Sequence, residues 1–154
     1  PRKHDPNVQA QAFIPGFDSR GKSEPGEIEI YPGAVTNSSF LLSKMVHESN
    51  HIQQYQQPMT ATGGPHIYGQ APADHLAAAQ EVEAYGSEIL SAQYSGLDRA
   101  QLTEVWNRYQ DHYKLVKPRT GVHRKHLSTD QKQKVDALHR KVHAEHRRLL
   151  SVLP

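Results

Sequence analysis

The segment that most constrains the fold is "SSFLLSKMVHESNHIQQYQQ", residues 38 to 57, because neither Pro nor Gly interrupts it. Asn37 or Ser38 is a suitable N-cap, and Pro58 follows the segment directly. Apolar residues recur along it at three- and four-residue spacings: Leu41, Leu42, Met45, Val46, Ile52 and Tyr55. This periodicity predicts an amphipathic helix with "HESNH" at its centre. Two histidines and a glutamate are costly on a core-facing helix unless something satisfies them, and a metal ion would.

The spacing of the two histidines fits a metal site. His47 and His51 are four residues apart, so both project from one helix face and can turn a nitrogen toward a single ion. Glu48 is rotated by about 100° from His47, which places its carboxylate beside the ion as a general base for metal-activated water. A random chain of this composition contains the pattern with a probability of roughly 4%, so the motif alone does not establish a site. The chain has no cysteine, so His, Asp or Glu must supply every ligand.

A third ligand is expected from a second helix, whose sequence includes "AAAQEVEAYGSEI". Glu81 lies 30 residues after His51 and shares one helix face with Tyr85 and Glu88. Two small alanines one turn before it would let this helix approach the first one closely. Glu83 points elsewhere, and it remains the alternative third ligand if the helix register differs.

Together the two motifs, "HESNH" and "EVEAY", resemble those of the gluzincin branch of zinc metallopeptidases. In that family His-Glu-x-x-His is followed, after a few tens of residues, by a helical Glu-x-x-Ala. The chain is also similar to the compact metallopeptidase domains at the C-termini of bacterial secreted toxins and effectors. The resemblance covers about residues 26 to 92 and is specific at the two motifs.

The resemblance implies one zinc ion per chain, bound by His47, His51 and Glu81, with Glu48 as general base. It implies a hydrolase of the metallopeptidase type, in which zinc-activated water cleaves a peptide or protein substrate. Many family members carry Asp four residues after the ligand Glu, where this chain has Tyr85. A tyrosine can still form a hydrogen bond, but it brings no negative charge to orient a ligand histidine.

The same resemblance implies a fold and a biological setting. Combined with the hydrophobic pattern, which predicts about four helices and a small N-terminal sheet, it implies an α+β fold: a mostly helical zincin-like domain whose sheet borders the active-site helix. The setting would be an effector or toxin domain of a larger bacterial protein, secreted or delivered into a target cell, with a cognate immunity or inhibitor protein as a partner. A chain that starts at Pro1 rather than Met is consistent with a domain cut from a longer polypeptide.

The hydrophobic pattern divides the chain, read as a single domain of residues 1–154, into three parts. Residues 1–36 form a strand and loop region, residues 37–96 hold the two zinc-site helices, and residues 97–154 form a helical and basic C-terminal part. No apolar run approaches the roughly 20 residues that cross a bilayer, and no signal peptide is recognisable.

Individual elements follow from local signals. The alternation in "GEIEIYPG" predicts a strand over Glu27 to Tyr31, with a partner near Ala12 to Phe17. The second helix should start near Pro72 to Asp74 and run to Gly96. Two further helices are predicted after the caps Asp98 and Ser128, the first of them ended by a proline, Pro118.

The loop between the two zinc-site helices supplies candidates for oxyanion stabilisation. His66 and Tyr68 lie in this Gly/Pro-rich loop and could donate hydrogen bonds to a reacting carbonyl oxygen. Tyr55, one turn beyond His51, is a third candidate, although a core position or support for a ligand is the favoured interpretation. The free edge of the predicted strand could hold an extended peptide by main-chain pairing.

The charge distribution offers other functions. Residues 1–111 carry 7 Lys/Arg against 13 Asp/Glu, whereas residues 112–154 carry 11 against 3. One alternative is therefore a nucleic-acid or anionic-surface binding module that uses Lys114 to Arg148. Aromatic residues are not interleaved with this basic run, which disfavours nucleic acid. Another alternative is a catalytically inactive zincin with structural zinc that acts as an interaction domain.

A second set of histidines lies in the basic part of the chain. His139, His143 and His146 are spaced to share one face of the last predicted helix. They could form a second metal site, but they stand between Arg and Lys residues. A solvated or weakly packed stripe is the favoured interpretation.

Overall fold

The computed structural model describes residues 10–13, 27–30, 37–56 and 74–154, and this part of the chain is mostly helical, as predicted. The α-helices are α1 (Ser38–Gln56), α2 (Asp74–Leu90), α3 (Ala92–Ser95), α4 (Arg99–Val116) and α5 (Thr129–Val152). A 3-10 turn, Arg124–His126, lies between α4 and α5. The predicted loop residues His66 and Tyr68 lie outside the described residues, and so does the side chain of Tyr55.

Two short strands precede the helices. β1 (Ala10–Phe13) pairs antiparallel with β2 (Glu27–Ile30), so that Ala10 lies opposite Ile30 and Phe13 opposite Glu27. β2 lies where the "EIEI" alternation predicts a strand, and β1 begins two residues before the predicted partner. Both strands contact α1, so the small sheet borders the helix that carries "HESNH".

The helix starts follow the predicted caps. The Asn37 side chain accepts a hydrogen bond from the Ser39 N–H at 2.9 Å. Asp98 and Ser128 each form a capping box with a glutamine three residues later, which satisfies backbone donors that a helix start leaves unpaired.

The predicted extension of the second helix to Gly96 is wrong. α2 ends at Leu90, and a separate single turn, α3, follows. At the break, the Ser91 hydroxyl donates to the Ser87 carbonyl at 2.6 Å, a side-chain bond that competes with regular helical geometry. Gly96 ends α3 in the left-handed conformation, with φ 75°.

α2 is the central helix of the described residues, packed against α1, α4 and α5. One side of it joins an apolar core that α4 and α5 complete: Val82, Ile89, Leu102, Val105, Tyr109, Val116, Val135, Val142 and Leu149. Gly86 allows α5 to approach, because a Cβ at this position would lie 3.2 Å from Val142 Cγ2. The apolar core therefore fixes α2, and α2 in turn presents its other side to α1.

The predicted apolar stripe of α1 is wrong at two positions. Leu42 and Met45 are 44% and 41% exposed, whereas Ser43, His47 and Gln54 are buried. Ser43, His47 and Gln54 recur at four- and seven-residue spacings, so they lie on one face, and this face meets α2. Hydrogen bonds to α2 replace apolar contacts along this polar seam, which offsets the desolvation of its side chains.

The C-terminal basic part is locally neutralised at several points. Arg124 donates two hydrogen bonds of 2.7 Å to Asp136, which ties the 3-10 turn to α5. Arg148 pairs with Glu145 and Lys134 with Asp130 on the surface of α5. Among the helices that the structure describes, none combines the length and hydrophobicity that crossing a membrane requires.

The turn after α4 contains a glycine position that should not tolerate substitution. A Cβ on Gly121 would lie 2.7 Å from the Leu115 oxygen and from the nitrogen and oxygen of Lys117. Since all three are backbone atoms, Gly121→Ala is expected to lower the free energy of unfolding by about 1–3 kcal/mol. Urea denaturation should show this, with the exposed neighbour Thr120→Ala as control. Equal midpoints for the two variants would contradict the expectation.

Candidate metal centre

Three side chains converge between α1 and α2. His47 Nε2 lies 3.1 Å from His51 Nε2, and each of these nitrogens lies 3.3 Å from an oxygen of Glu81. Ligand atoms about 2.0–2.1 Å from a tetrahedral zinc ion are about 3.3–3.4 Å apart, so the spacing fits a shared ion. Among the described residues, this is the one group of three or more candidate ligands that could hold a metal.

Glu88 holds the far side of the His47 ring. Its fully buried carboxylate accepts a hydrogen bond of 2.8 Å from His47 Nδ1 and further bonds from Ser43 Oγ and Lys44 Nζ. Because an ionised carboxylate only accepts, the hydrogen of the neutral imidazole resides on Nδ1. Nε2 of His47 is thereby directed toward His51 and Glu81, and in the neutral ring it offers them its lone pair, the arrangement that supports a metal-binding histidine.

The side-chain amide of Gln54 orients the His51 ring. Its Nε2 donates to the Gln80 carbonyl at 3.1 Å and to the Glu83 carboxylate at 2.8 Å, two groups that can only accept. The amide oxygen must therefore face His51 Nδ1, 2.9 Å away, which makes Nδ1 the donor. As a result, the Nε2 lone pair of His51 also faces the centre.

The geometry decides between the two candidate third ligands. Glu81 lies 3.3 Å from the Nε2 atoms of both histidines. Glu83 instead accepts a hydrogen bond from Gln54, the residue that orients His51. Tyr85 places its ring edge against the His47 ring at 4.3 Å between centroids. Glu88, one further turn along α2, supplies the orienting carboxylate that Tyr85 cannot. Its signal in the sequence was its place on the same helix face as Glu81.

Carboxylates dominate the electrostatics of the centre. Burial alone would lower the pKa of His47, but its hydrogen bonds to Glu81 and Glu88 outweigh burial and raise the pKa to about 9. Burial would raise the pKa of Glu81, but hydrogen bonds from His47 and His51 hold it well below the usual range. In the metal-free protein near pH 7, a proton shared with Glu81 therefore takes the place of a cation.

Metal binding should displace that proton. His47 is protonated at pH 7 in the metal-free protein because its pKa is about 9, and an ion requires the Nε2 lone pair. Binding is expected to release about one proton per ion at pH 7, and the affinity should rise with pH up to about 9. Calorimetric titration in two buffers of different ionisation enthalpy measures the release. Heats at pH 7 that do not depend on the buffer would contradict it.

Gln54 can be tested as a support of the candidate ligand His51. Gln54→Ala removes the acceptor that fixes His51 Nδ1, and it is expected to weaken metal affinity by about 10–100-fold. Competition with a chromogenic chelator gives the affinity. Gln53→Ala is the matched control, because Gln53 is the exposed neighbour on α1. Equal affinities for the two variants would rule out the supporting role.

Three further side chains lie near the centre. Glu48 is 8% exposed. The pKa of Tyr85 is raised mainly by burial and by the charges of Glu81 and Glu88, and the Glu48 charge adds to this effect. From α4, His112 stacks on the Tyr85 ring at 5.5 Å and 16°. Arg108 lies one turn before His112, and its positive charge lowers the pKa of Tyr85. The sequence pattern gave no role to His112 or Arg108, since it did not show which face of α4 meets α2.

The C-terminal histidines pack against aromatic rings. His146 stacks on Trp106 at 3.8 Å, and His139 stacks on Tyr113 at 3.7 Å. His139 Nδ1 also shares a hydrogen bond of 3.0 Å with the Tyr109 hydroxyl. These contacts favour a packed stripe over a second metal site, and the packing is tighter than the sequence predicted.

Comparison with known proteins adds no relative. No protein-family model matches the chain, and no match was found among curated proteins or solved structures. The likeness to gluzincins therefore depends on the motifs "HESNH" and "EVEAY" and on the meeting of His47, His51 and Glu81 between two helices.

Proposed function

We propose that the chain is a zinc-dependent hydrolase, a metallopeptidase with a zincin-like site formed by His47, His51 and Glu81. The supporting observation is the convergence of three candidate ligand groups at 3.1–3.3 Å, with both Nε2 atoms turned inward by hydrogen bonds at the Nδ1 atoms. When bound, zinc supplies a Lewis acid that polarises a carbonyl and lowers the pKa of water to about 7.

Glu48 is the proposed general base and acid. It follows His47 directly on α1 and is buried, so its carboxylate is removed from bulk water. In hydrolysis of an amide, a Glu48 oxygen would accept the proton that the attacking water loses. The same oxygen would then deliver that proton to the leaving nitrogen, so the carboxylate ends each cycle as it began.

Two parts of the proposal depend on the family resemblance. The first is the pair of predicted donors to the oxyanion, His66 and Tyr68, which lie outside the described residues. The biological role proposed is an effector or toxin domain of a larger bacterial protein, secreted or delivered into a target cell. Its partners would be a peptide or protein substrate and a cognate immunity or inhibitor protein.

Metal content tests the ligand assignment directly. Elemental analysis of the purified protein should give about one zinc ion per chain, lost in His47→Ala and Glu81→Ala. Glu83→Gln is the matched control and should retain the ion, because a glutamine oxygen can still accept from Gln54. Absence of metal from the wild type, or equal metal in His47→Ala, would overturn the site. A quenched-fluorescence peptide library, with and without a chelator, then tests hydrolysis.

A further inference from the structure

α4 brings two basic residues to a centre for which it supplies no ligand. Arg108 and His112 are four residues apart and share one face of the helix. The His112 ring stacks on Tyr85, and the Tyr85 ring meets the ring of His47. A single aromatic ring therefore separates His112 from a proposed zinc ligand, and Arg108 lies one turn farther along.

The accessible side of the centre is the side of Glu81. The Glu81 side chain is 30% exposed, against 7% for His47 and 15% for His51. Tyr85 lies one turn after Glu81 on the same face of α2, and His112 of α4 stacks on Tyr85, so α4 borders this accessible side. His112 is half-buried and Arg108 is exposed, which leaves both accessible to a bound molecule.

The fixed charges near the centre are mainly negative. Glu48, Glu81 and Glu88 are carboxylates, and Lys44 is already paired with Glu88 at 3.2 Å. With a divalent zinc ion bound, as the proposed function requires, the ion and Lys44 together carry three positive charges that balance these three carboxylates. Arg108 then adds a positive charge that an acidic group of a substrate can meet. A guanidinium binds a carboxylate through two parallel hydrogen bonds, and a neutral imidazole can add a third donor.

We propose that Arg108, together with His112, binds a carboxylate of the substrate, so that the site prefers peptides with an acidic group near the cleaved bond. This inference rests on the proposed function, because it assigns the substrate class of the same site. Arg108 is the specificity-determining residue, and His112 supplies the second contact. Because Arg108 is exposed, the preference should weaken as the salt concentration rises.

Binding of zinc-directed probes tests the inference without relying on catalysis. Three hydroxamates of equal length carry a terminal carboxylate, carboxamide or ammonium, and calorimetry with the zinc-loaded protein gives each Kd. The carboxylate probe is expected to bind about tenfold more tightly than the carboxamide. Arg108→Gln should reduce this ratio to about one, chiefly by weakening the binding of the carboxylate probe. Arg140→Gln, at an exposed arginine of α5, should keep the wild-type ratio.

The outcomes separate the inference from the proposed function. If no hydroxamate binds the zinc-loaded protein, the ion offers no open position to a substrate, so the proposed function fails and the inference fails with it. If the probes bind but the carboxylate has no advantage, or the ammonium binds best, only the inference is overturned. Two competing peptides identify the source of the carboxylate. One carries Asp with an amidated C-terminus, and the other is neutral with a free C-terminus.

Discussion

Replacing Glu48 by Gln is expected to lower kcat/KM for peptide hydrolysis by about 10²–10⁴-fold while one zinc ion per chain stays bound. Glutamine preserves the size and polarity of the buried side chain, but it cannot accept a proton from water. Initial rates with a fluorogenic peptide, measured beside elemental analysis of the same samples, provide the test.

Glu104→Gln is the matched control for this substitution, because Glu104 is an exposed glutamate on α4. It should leave both the rate and the metal content unchanged. Full activity in Glu48→Gln would exclude the residue as general base. A wild-type protein that binds zinc but cleaves nothing would instead favour the inactive zincin that serves as an interaction domain.

Removal of the metal is expected to reduce the free energy of unfolding by about 4 kcal/mol, relative to protein with free zinc at 1,000 times its Kd. The reason is that His47 and His51 on α1 and Glu81 on α2 meet only in the folded chain. Urea denaturation with zinc and with a chelator measures the difference.

A variant pair makes this expectation specific. His47→Ala should lose the response to zinc, since it lacks a ligand. His143→Ala removes an exposed histidine of α5 and should keep the response. If the chelator left the wild-type midpoint unchanged, or if His47→Ala responded as the wild type does, the ion would not join the two helices.

The features predictable from sequence were those with short-range signals. A helix places residues four apart on one face, so the facing of His47 and His51 followed from spacing alone. Glu81 was predictable because it begins the second motif on a helix of its own. The caps Asp98 and Ser128 were predictable because each precedes an amphipathic run and bonds within its own first turn.

The remaining features depend on how helices meet. The sequence placed Glu88 on the ligand face, but its role required knowing that Ser43, Lys44 and His47 all face it. Leu42 and Met45 were assigned to the buried stripe because apolar residues usually pack, yet here polar side chains occupy the contact with α2. Hydrophobic periodicity does not distinguish a helix face that packs into an apolar core from one whose buried contacts are polar.

The polar seam between α1 and α2 also selects the register of the two helices. The two helices are antiparallel along it, so hydrogen bonds join Ser43 to Glu88, Asn50 to Ser87, and Gln54 to Glu83. Sliding α1 by one turn, about 5.4 Å, would leave the buried Glu88 carboxylate without its donors, whereas an apolar seam would tolerate the slide more readily. The seam thus fixes one alignment of the helices without the help of an ion, and this alignment brings the side chains of His47, His51 and Glu81 together.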